Sequence, residues 1–138
     1  MLGIVTIDYK NPQMTIYFFC RELPKIDVSY ICVIVINGCT EEELNIVQKG
    51  TGGIVARKKV DKKSNIYIVP SPDNLGFAKG NNLGVKFLEE NFCCDYFLFT
   101  NTDIEIKSDV NVSKMIACLD KNERIGAIGP KVISLDGS

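Results

Sequence analysis

The chain has 138 residues, a net charge of −1, 16 basic against 17 acidic side chains, six cysteines and no histidine. The absent histidine excludes a Ser-His-Asp triad, a Cys-His dyad and a Cys₂His₂ zinc site, so a general base must be a carboxylate, lysine, tyrosine or cysteine. The balanced charge gives no electrostatic case for nucleic-acid binding, and 46% hydrophobic with 24% charged residues is ordinary for one globular domain with a real core.

Gly3 to Ile7 is apolar and β-branched and predicts a first strand. Asn11-Pro12 supplies an N-cap and a proline at the first helical position. Met14, Tyr17 and Phe18 follow at helical spacing, and Pro24 ends the segment. Tyr30 to Ile36 is the longest apolar run and predicts a strand buried on both faces. Thr40 to Glu43 is a capping box that opens a short amphipathic helix carrying Leu44 and Val47. Residues 49–64 hold Gly50, Gly52 and Gly53, then Arg57, Lys58, Lys59, Lys62 and Lys63. A phosphate-cradling loop with a basic patch is the sharper reading there. A solvated connector is favoured, because Gly-Thr-Gly-Gly lacks the spacing of a P-loop. Ile66 to Val69 predicts a strand, Gly76 to about Asn91 a helix, and Tyr96 to Phe99 a buried strand. A helix starting at Ser108 or Asp109 carries Val112, Met115, Ile116 and Leu119, and Ile125 to Ile128 and Lys131 to Ile133 predict two last strands.

A membrane span needs about 20 consecutive apolar residues, and no run here approaches that length. No secretory signal is read at Met1-Leu2-Gly3-Ile4. The cysteines at 20, 32, 39, 93, 94 and 118 form no C-x-x-C pair, which argues against zinc and redox motifs. Cys32 and Cys118 are expected to be buried, reduced thiols of a cytosolic protein.

Strands separated by helices imply a doubly wound, mostly parallel sheet. Ligands of such sheets bind beyond the carboxyl ends of the strands, where the strand order switches. The residues in those places are Asp8-Tyr9-Lys10, Asn37-Gly38, Pro70 to Asn74, and Asn101-Thr102-Asp103. Singly, Asp, Asn and Gly there are turn residues. Their coincidence on one edge points to a site. The segment Asp73 to Gly84 joins a strand to a helix. Gly76 and Gly80 are expected to let a ligand approach the main chain, and the amides at the helix N-terminus, with Lys79, favour an anion such as a diphosphate. Ala78, Asn82, Val85, Leu88 and Phe92 share one helical face, so Asn82 is expected to be a buried amide that either ties loops together or touches ligand.

Read as Asn-x-Gly-Phe-Ala-x-Gly-Asn-Asn-x-Gly, the segment Asn74 to Gly84 resembles the family 2 glycosyltransferases, and among them the bacterial rhamnosyltransferase-like members. Asp95 to Asp103 resembles the strand that ends in that family's metal-binding Asp-x-Asp region. Ile125 to Lys131 with Asp136-Gly137 resembles its next strand and hairpin, and Val35 to Thr40 its second-strand turn. The likeness runs along essentially the whole chain.

The resemblance implies a GT-A (Rossmann-like) α/β fold: a doubly wound, mostly parallel sheet with helices on both faces. It implies inverting, metal-assisted transfer of a sugar from a nucleotide-diphosphate donor to a glycan acceptor, in polysaccharide or surface-glycan synthesis. Carried over, Asp8, Tyr9 and Asn37 hold the nucleoside. Asn74, Gly76, Phe77, Lys79, Asn81 and Asn82 lie over the ribose and diphosphate. Asn101, Thr102 and Asp103 form the metal region, with Asp103 as ligand to Mg²⁺ or Mn²⁺. Three positions depart from the family pattern. Asn101 stands at the first acidic position of the metal motif, Ile36 at the acidic position of the second-strand turn, and Lys10 where asparagine is usual. Glu105 is a second carboxylate nearby, read as a solvated side chain.

The base of inverting members is a carboxylate well beyond the metal motif, in the acceptor-binding half. The resemblance therefore puts the catalytic base beyond Ser138. Residues 1–138 are expected to be the nucleotide-sugar-binding part, truncated before the acceptor-binding half, binding donor and inactive alone. The expected location is cytoplasmic, with no transmembrane segment; peripheral association with the inner face of the membrane and a homodimer through exposed apolar surface are both compatible with it. The alternative is a non-catalytic nucleotide-binding or interaction domain on the same scaffold. A nucleotidyltransferase ranks last, because Asp8 to Pro12 stands where its glycine-rich basic loop belongs.

Overall fold

Strand β1 (Leu2–Asp8) lies second from one edge of a five-stranded parallel sheet, hydrogen-bonded on both sides. The structure is a computed structural model and describes residues 1–56, 60, 63–107 and 110–134. The other strands are β2 (Tyr30–Asn37), β3 (Ile54–Val55), β4 (Ile66–Ser71) and β5 (Tyr96–Thr100), in the order β3-β4-β2-β1-β5. The chain builds outward from β1 through β2 and β4, then returns to place β5 on the other side of β1. The switch in strand order therefore falls between β1 and β5.

Helices cover both faces. On one face lie α1 (Pro12–Tyr17), α2 (Glu41–Thr51) and α4 (Val112–Asp120), whose Leu44, Val47 and Val112 pack with Leu2, Ile4, Cys32, Ile34 and Ile36. On the other lies α3 (Gly76–Asn91), whose Leu88 packs with Val5, Val33, Val35 and Tyr67. Alternation along β1 and β2 divides their side chains between two cores, which is why Tyr30 to Ile36 reads as an unbroken apolar run. The fold class read from the sequence is the one observed.

The helix starts follow their caps. Asn11 Oδ1 accepts from Met14 N–H at 3.2 Å with Pro12 at the first position. Thr40 Oγ1 accepts from Glu43 N–H at 3.2 Å while Glu43 Oε2 accepts from Thr40 N–H at 2.9 Å, completing the predicted box. The cap of α4 is Asn111, whose Oδ1 accepts from Lys114 N–H at 3.0 Å; the predicted starts Ser108 and Asp109 lie outside the described residues.

Four expectations are corrected. Ile125 to Ile128 and Lys131 to Ile133 form no strand; Val132 is 85% exposed. A strand needs an edge to pair with, and Gly126, Gly129 and Pro130 favour irregular chain. The connector after α2 contains the two-residue β3, paired Ile54 to Tyr67 and Val55 to Ile68, too short for any period to show. Arg57 to Lys59 and Lys62 lie outside the described residues. Pro24 does not simply end a helix: α1 widens into a π-helical turn at Phe18–Glu22 and a 3₁₀ turn at Leu23–Lys25. Cys118 is exposed, because α4 turns Val112, Met115 and Ile116 inward and 118 away.

Candidate nucleotide-binding site

Because the strands are parallel, their carboxyl ends share one edge. Asp8 ends β1 there, buried. Its carboxylate accepts from Thr15 Oγ1 and, at 3.3 Å, from Asn11 N–H. Burial raises this carboxyl above its ordinary 3.8; the two hydrogen bonds oppose the rise, and the nearby charge of Glu43 adds to it. The next two residues turn outward. Tyr9 is half exposed, and Lys10 takes a left-handed φ of 54° that brings its ammonium 5.5 Å from the Tyr9 ring centroid.

Asn37 ends β2 beside Asp8 and is buried. Its Oδ1 accepts from Leu75 N–H at 2.7 Å, and its Nδ2 donates to Asn74 Oδ1 at 2.9 Å and Gly76 O at 3.4 Å. Asn74 Oδ1 also accepts from Gly76 N–H at 2.9 Å. Asn37 therefore spends its amide holding the turn into α3. The family resemblance assigns it to the nucleoside; the structure places it as the tie beneath the turn.

That turn ends in Gly76 at φ 74°, with open space where a Cβ would stand. The N-cap residue of α3, Leu75, offers no side-chain cap of its own; Asn37 and Asn74 take the Leu75 and Gly76 amides, and the helix start lies at the carboxyl edge of the sheet. Phe77, 67% exposed, and exposed Lys79 flank it. The remaining motif residues divide differently from expectation. Asn82 is exposed and Asn81 is the buried amide, its Nδ2 donating to Phe77 O at 3.1 Å. Gly80 is no ligand-facing position either: a Cβ there would lie 2.9 Å from Ile7 Cδ1, and one at Gly84 would overlap Val5 Cγ1. Glycine lets α3 sit against β1. The buried seam runs through Gly80, Asn81, Gly84 and Leu88, and apolar periodicity cannot register a seam made of glycine.

Across the strand switch, the chain leaves β5 through Asn101, Thr102 and Asp103, with Asn101 and Asp103 exposed. An apolar groove of about 290 Å³ runs beside them, lined by Phe77, Phe99, Asn101, Ile104, Met115 and Val132 among others. Phe77 and Asn101, from opposite sides of the switch, thus face one groove. Glu105 is exposed and ion-paired with Lys107 at 3.0 Å, as a solvated side chain should be. Among the described residues no cluster of three acidic, cysteine or histidine side chains could hold a metal ion. Asp103 is the one carboxylate of the Asn101 to Asp103 region. It fits a cation whose other ligands are phosphate oxygens, the usual manner of Mg²⁺.

Ser138 lies outside the described residues, together with Asp136 and Gly137 of the expected hairpin.

Sequence reasoning missed Glu22. It is buried in the π-helical turn, and its Oε2 accepts from Ile106 N–H at 2.6 Å and Lys25 Nζ at 2.7 Å. Burial pushes its carboxyl up, but the Lys25 and Ile106 bonds and the charges of Lys25 and Lys107 outweigh it and hold it below the ordinary 4.5. The only sequence signal was a Glu-Lys pair three residues apart, which is common on helix surfaces.

The parallel sheet, its strand order and the helices on both faces form the α/β fold of GT-A glycosyltransferases. One similar solved structure is TarS from S. aureus, with a TM-score of 0.61 at 19% identity over 87% of this chain and 19% of that one. In sequence the chain is similar to the low-salt glycan biosynthesis hexosyltransferase Agl10 of Haloferax volcanii, 22% identical over 119 residues. The chain spans 38% of the length of that relative. No family model matches the chain.

Proposed function

We propose that this chain is the donor-binding part of a glycosyltransferase, taking a nucleotide-diphosphate sugar for transfer to a glycan acceptor with inversion. The observation that carries the reading is the Asn37 tie. It sets the N-terminal turn of α3, an open Gly76 and Lys79 at the carboxyl edge of the sheet, near the switch in strand order. Amides and a helix dipole there favour a diphosphate. The likeness to a glycan-biosynthesis hexosyltransferase supports glycosyl transfer in general.

In this reading Asp8 and Tyr9 receive the nucleoside, and the turn at Asn74 to Gly76, with Phe77, Lys79 and the asparagines behind it, covers the ribose and diphosphate. Thr102 and Asn101 border the sugar side. Asp103 completes the shell of a divalent cation carried by the diphosphate; that cation offsets charge on the leaving group when bound. No residue of this chain is assigned as the base. The protein works on the cytoplasmic side, where nucleotide sugars are made.

Calorimetry with nucleoside diphosphates and Mn²⁺ tests this. Binding by wild type that weakens in Asp103→Ala supports it. No heat from any diphosphate at about 1 mM, the affinity of a weak site, would sink it.

A further inference from the structure

The segment 101–107 carries Asp103 yet pairs with no strand. Ile106 ties it to a distant part of the chain: its N–H donates to Glu22 Oε2 at 2.6 Å, and its C=O accepts from Lys25 Nζ at 2.9 Å. Lys25 also donates to Glu22 at 2.7 Å, closing a ring of three groups. Two side chains thus satisfy both main-chain groups of Ile106, as a neighbouring strand would. Asp103 is three residues away, within about 10 Å of chain.

We infer that Glu22 and Lys25 are positioning residues: a two-pronged clamp that fixes the loop bearing Asp103. Its role in donor binding rests on the function proposed above; its hold on the loop does not. Four observations support the inference. Glu22 is 2% exposed, and a charge that deep is retained only where it is paired and hydrogen-bonded. It sits in a π-helical turn, a local widening that recurs at functional sites. That turn presents Phe18, Phe19 and Glu22 all inward, so the apolar side chains fill the core while the carboxylate reaches the loop. The clamp also opens on a polar cleft that Tyr17, Arg21 and Glu105 line with it, so Lys25 reaches solvent while Glu22 does not.

The test is amide hydrogen exchange on the whole chain, without ligand, for wild type, Glu22→Ala, Glu22→Gln and Lys25→Met. Losing a bond to a charged acceptor should speed exchange in 101–107 by about 10- to 100-fold in Glu22→Ala. Amides of β1 and β2 should change far less. Glu22→Gln keeps an acceptor for Ile106 N–H and should recover part of the protection. Lys25→Met, at a partly exposed side chain, gives the same answer if Glu22→Ala does not fold. Equal exchange in 101–107 across the variants, or a uniform rise throughout the chain, overturns the clamp. Binding of Mn²⁺ with a nucleoside diphosphate is then measured on the same proteins. If wild type binds and Glu22→Ala binds as tightly, the positioning role is overturned. If wild type binds none, the donor-site reading fails, while exchange still decides the clamp.

Discussion

The side chains of Asn37 and Asn74 are joined Nδ2 to Oδ1 at 2.9 Å, across 37 residues of sequence. One amide thereby fastens the end of β2 to the turn that opens α3. Asn37→Ala would leave Leu75 N–H without its acceptor and take one of two donors from Asn74 Oδ1, at a cost of about 2 kcal/mol. Asn37→Asp keeps an acceptor for Leu75 but turns an oxygen towards Asn74 Oδ1, so it should recover little. Urea denaturation of the two variants measures both.

The glycine seam makes a sharper stability prediction. Gly84→Ala forces a methyl into Val5 and should destabilise by about 2 kcal/mol. Gly126→Ala meets nothing within 4 Å and should stay within about 0.5 kcal/mol of wild type. Thermal melts of the pair separate close packing from a general cost of losing glycine.

Asp8 and Glu22 should respond to pH in opposite senses. Asp8 is raised in the folded state, mainly by burial, so its contribution to stability is full below the ordinary 3.8 and is lost as pH rises through its folded value. Asp8→Asn should remove that slope and be at least as stable as wild type at neutral pH, while losing nucleotide affinity. Glu22 is lowered despite its burial, by the bonds from Lys25 and Ile106 and the charges of Lys25 and Lys107. Its contribution is present above the ordinary 4.5 and is lost as pH falls through its folded value. Glu22→Gln should flatten that acid limb. Denaturation curves across pH for the two variants read the two signs separately.

Thiol labelling checks the placement of the cysteines. Cys20, Cys93 and Cys118 are exposed and should react first. Burial pushes the Cys39 and Cys94 thiols up, so they should lag. Cys32, fully buried and raised strongly by that burial, should react only on unfolding. Rapid labelling of Cys32, or protection of Cys118, would contradict the packing of β2 or α4.

The fold is legible in the sequence because apolar runs and caps report it directly: Tyr30 to Ile36 can be little else than a doubly covered strand, and Thr40 with Glu43 marks a helix start. The carboxyl-edge location of Asp8, Asn37, Asn74 and Asn101 follows from strand direction alone. What escapes is whatever depends on contacts between distant segments. Periodicity puts Asn82 inside; the close approach of Gly84 to Val5 turns α3 so that Asn81 is buried and Asn82 exposed. The tie of Asn37 to Asn74 is not legible because it is not written in the neighbourhood of either residue. Glu22 is invisible for the same reason, since its partner Ile106 lies 84 residues on. The last two strands are over-read, because a β-branched run says nothing about whether an edge is there to receive it.

The most direct test is to map amide shifts on titrating Mn²⁺ with a nucleoside diphosphate into the wild-type chain. Saturable shifts at Asp8 to Lys10, Asn74 to Lys79 and Asn101 to Asp103, reduced in Asp8→Ala and Asp103→Ala, are the predicted result. Shifts confined to other surfaces, or none at about 1 mM ligand, would contradict a donor site at this edge of the sheet.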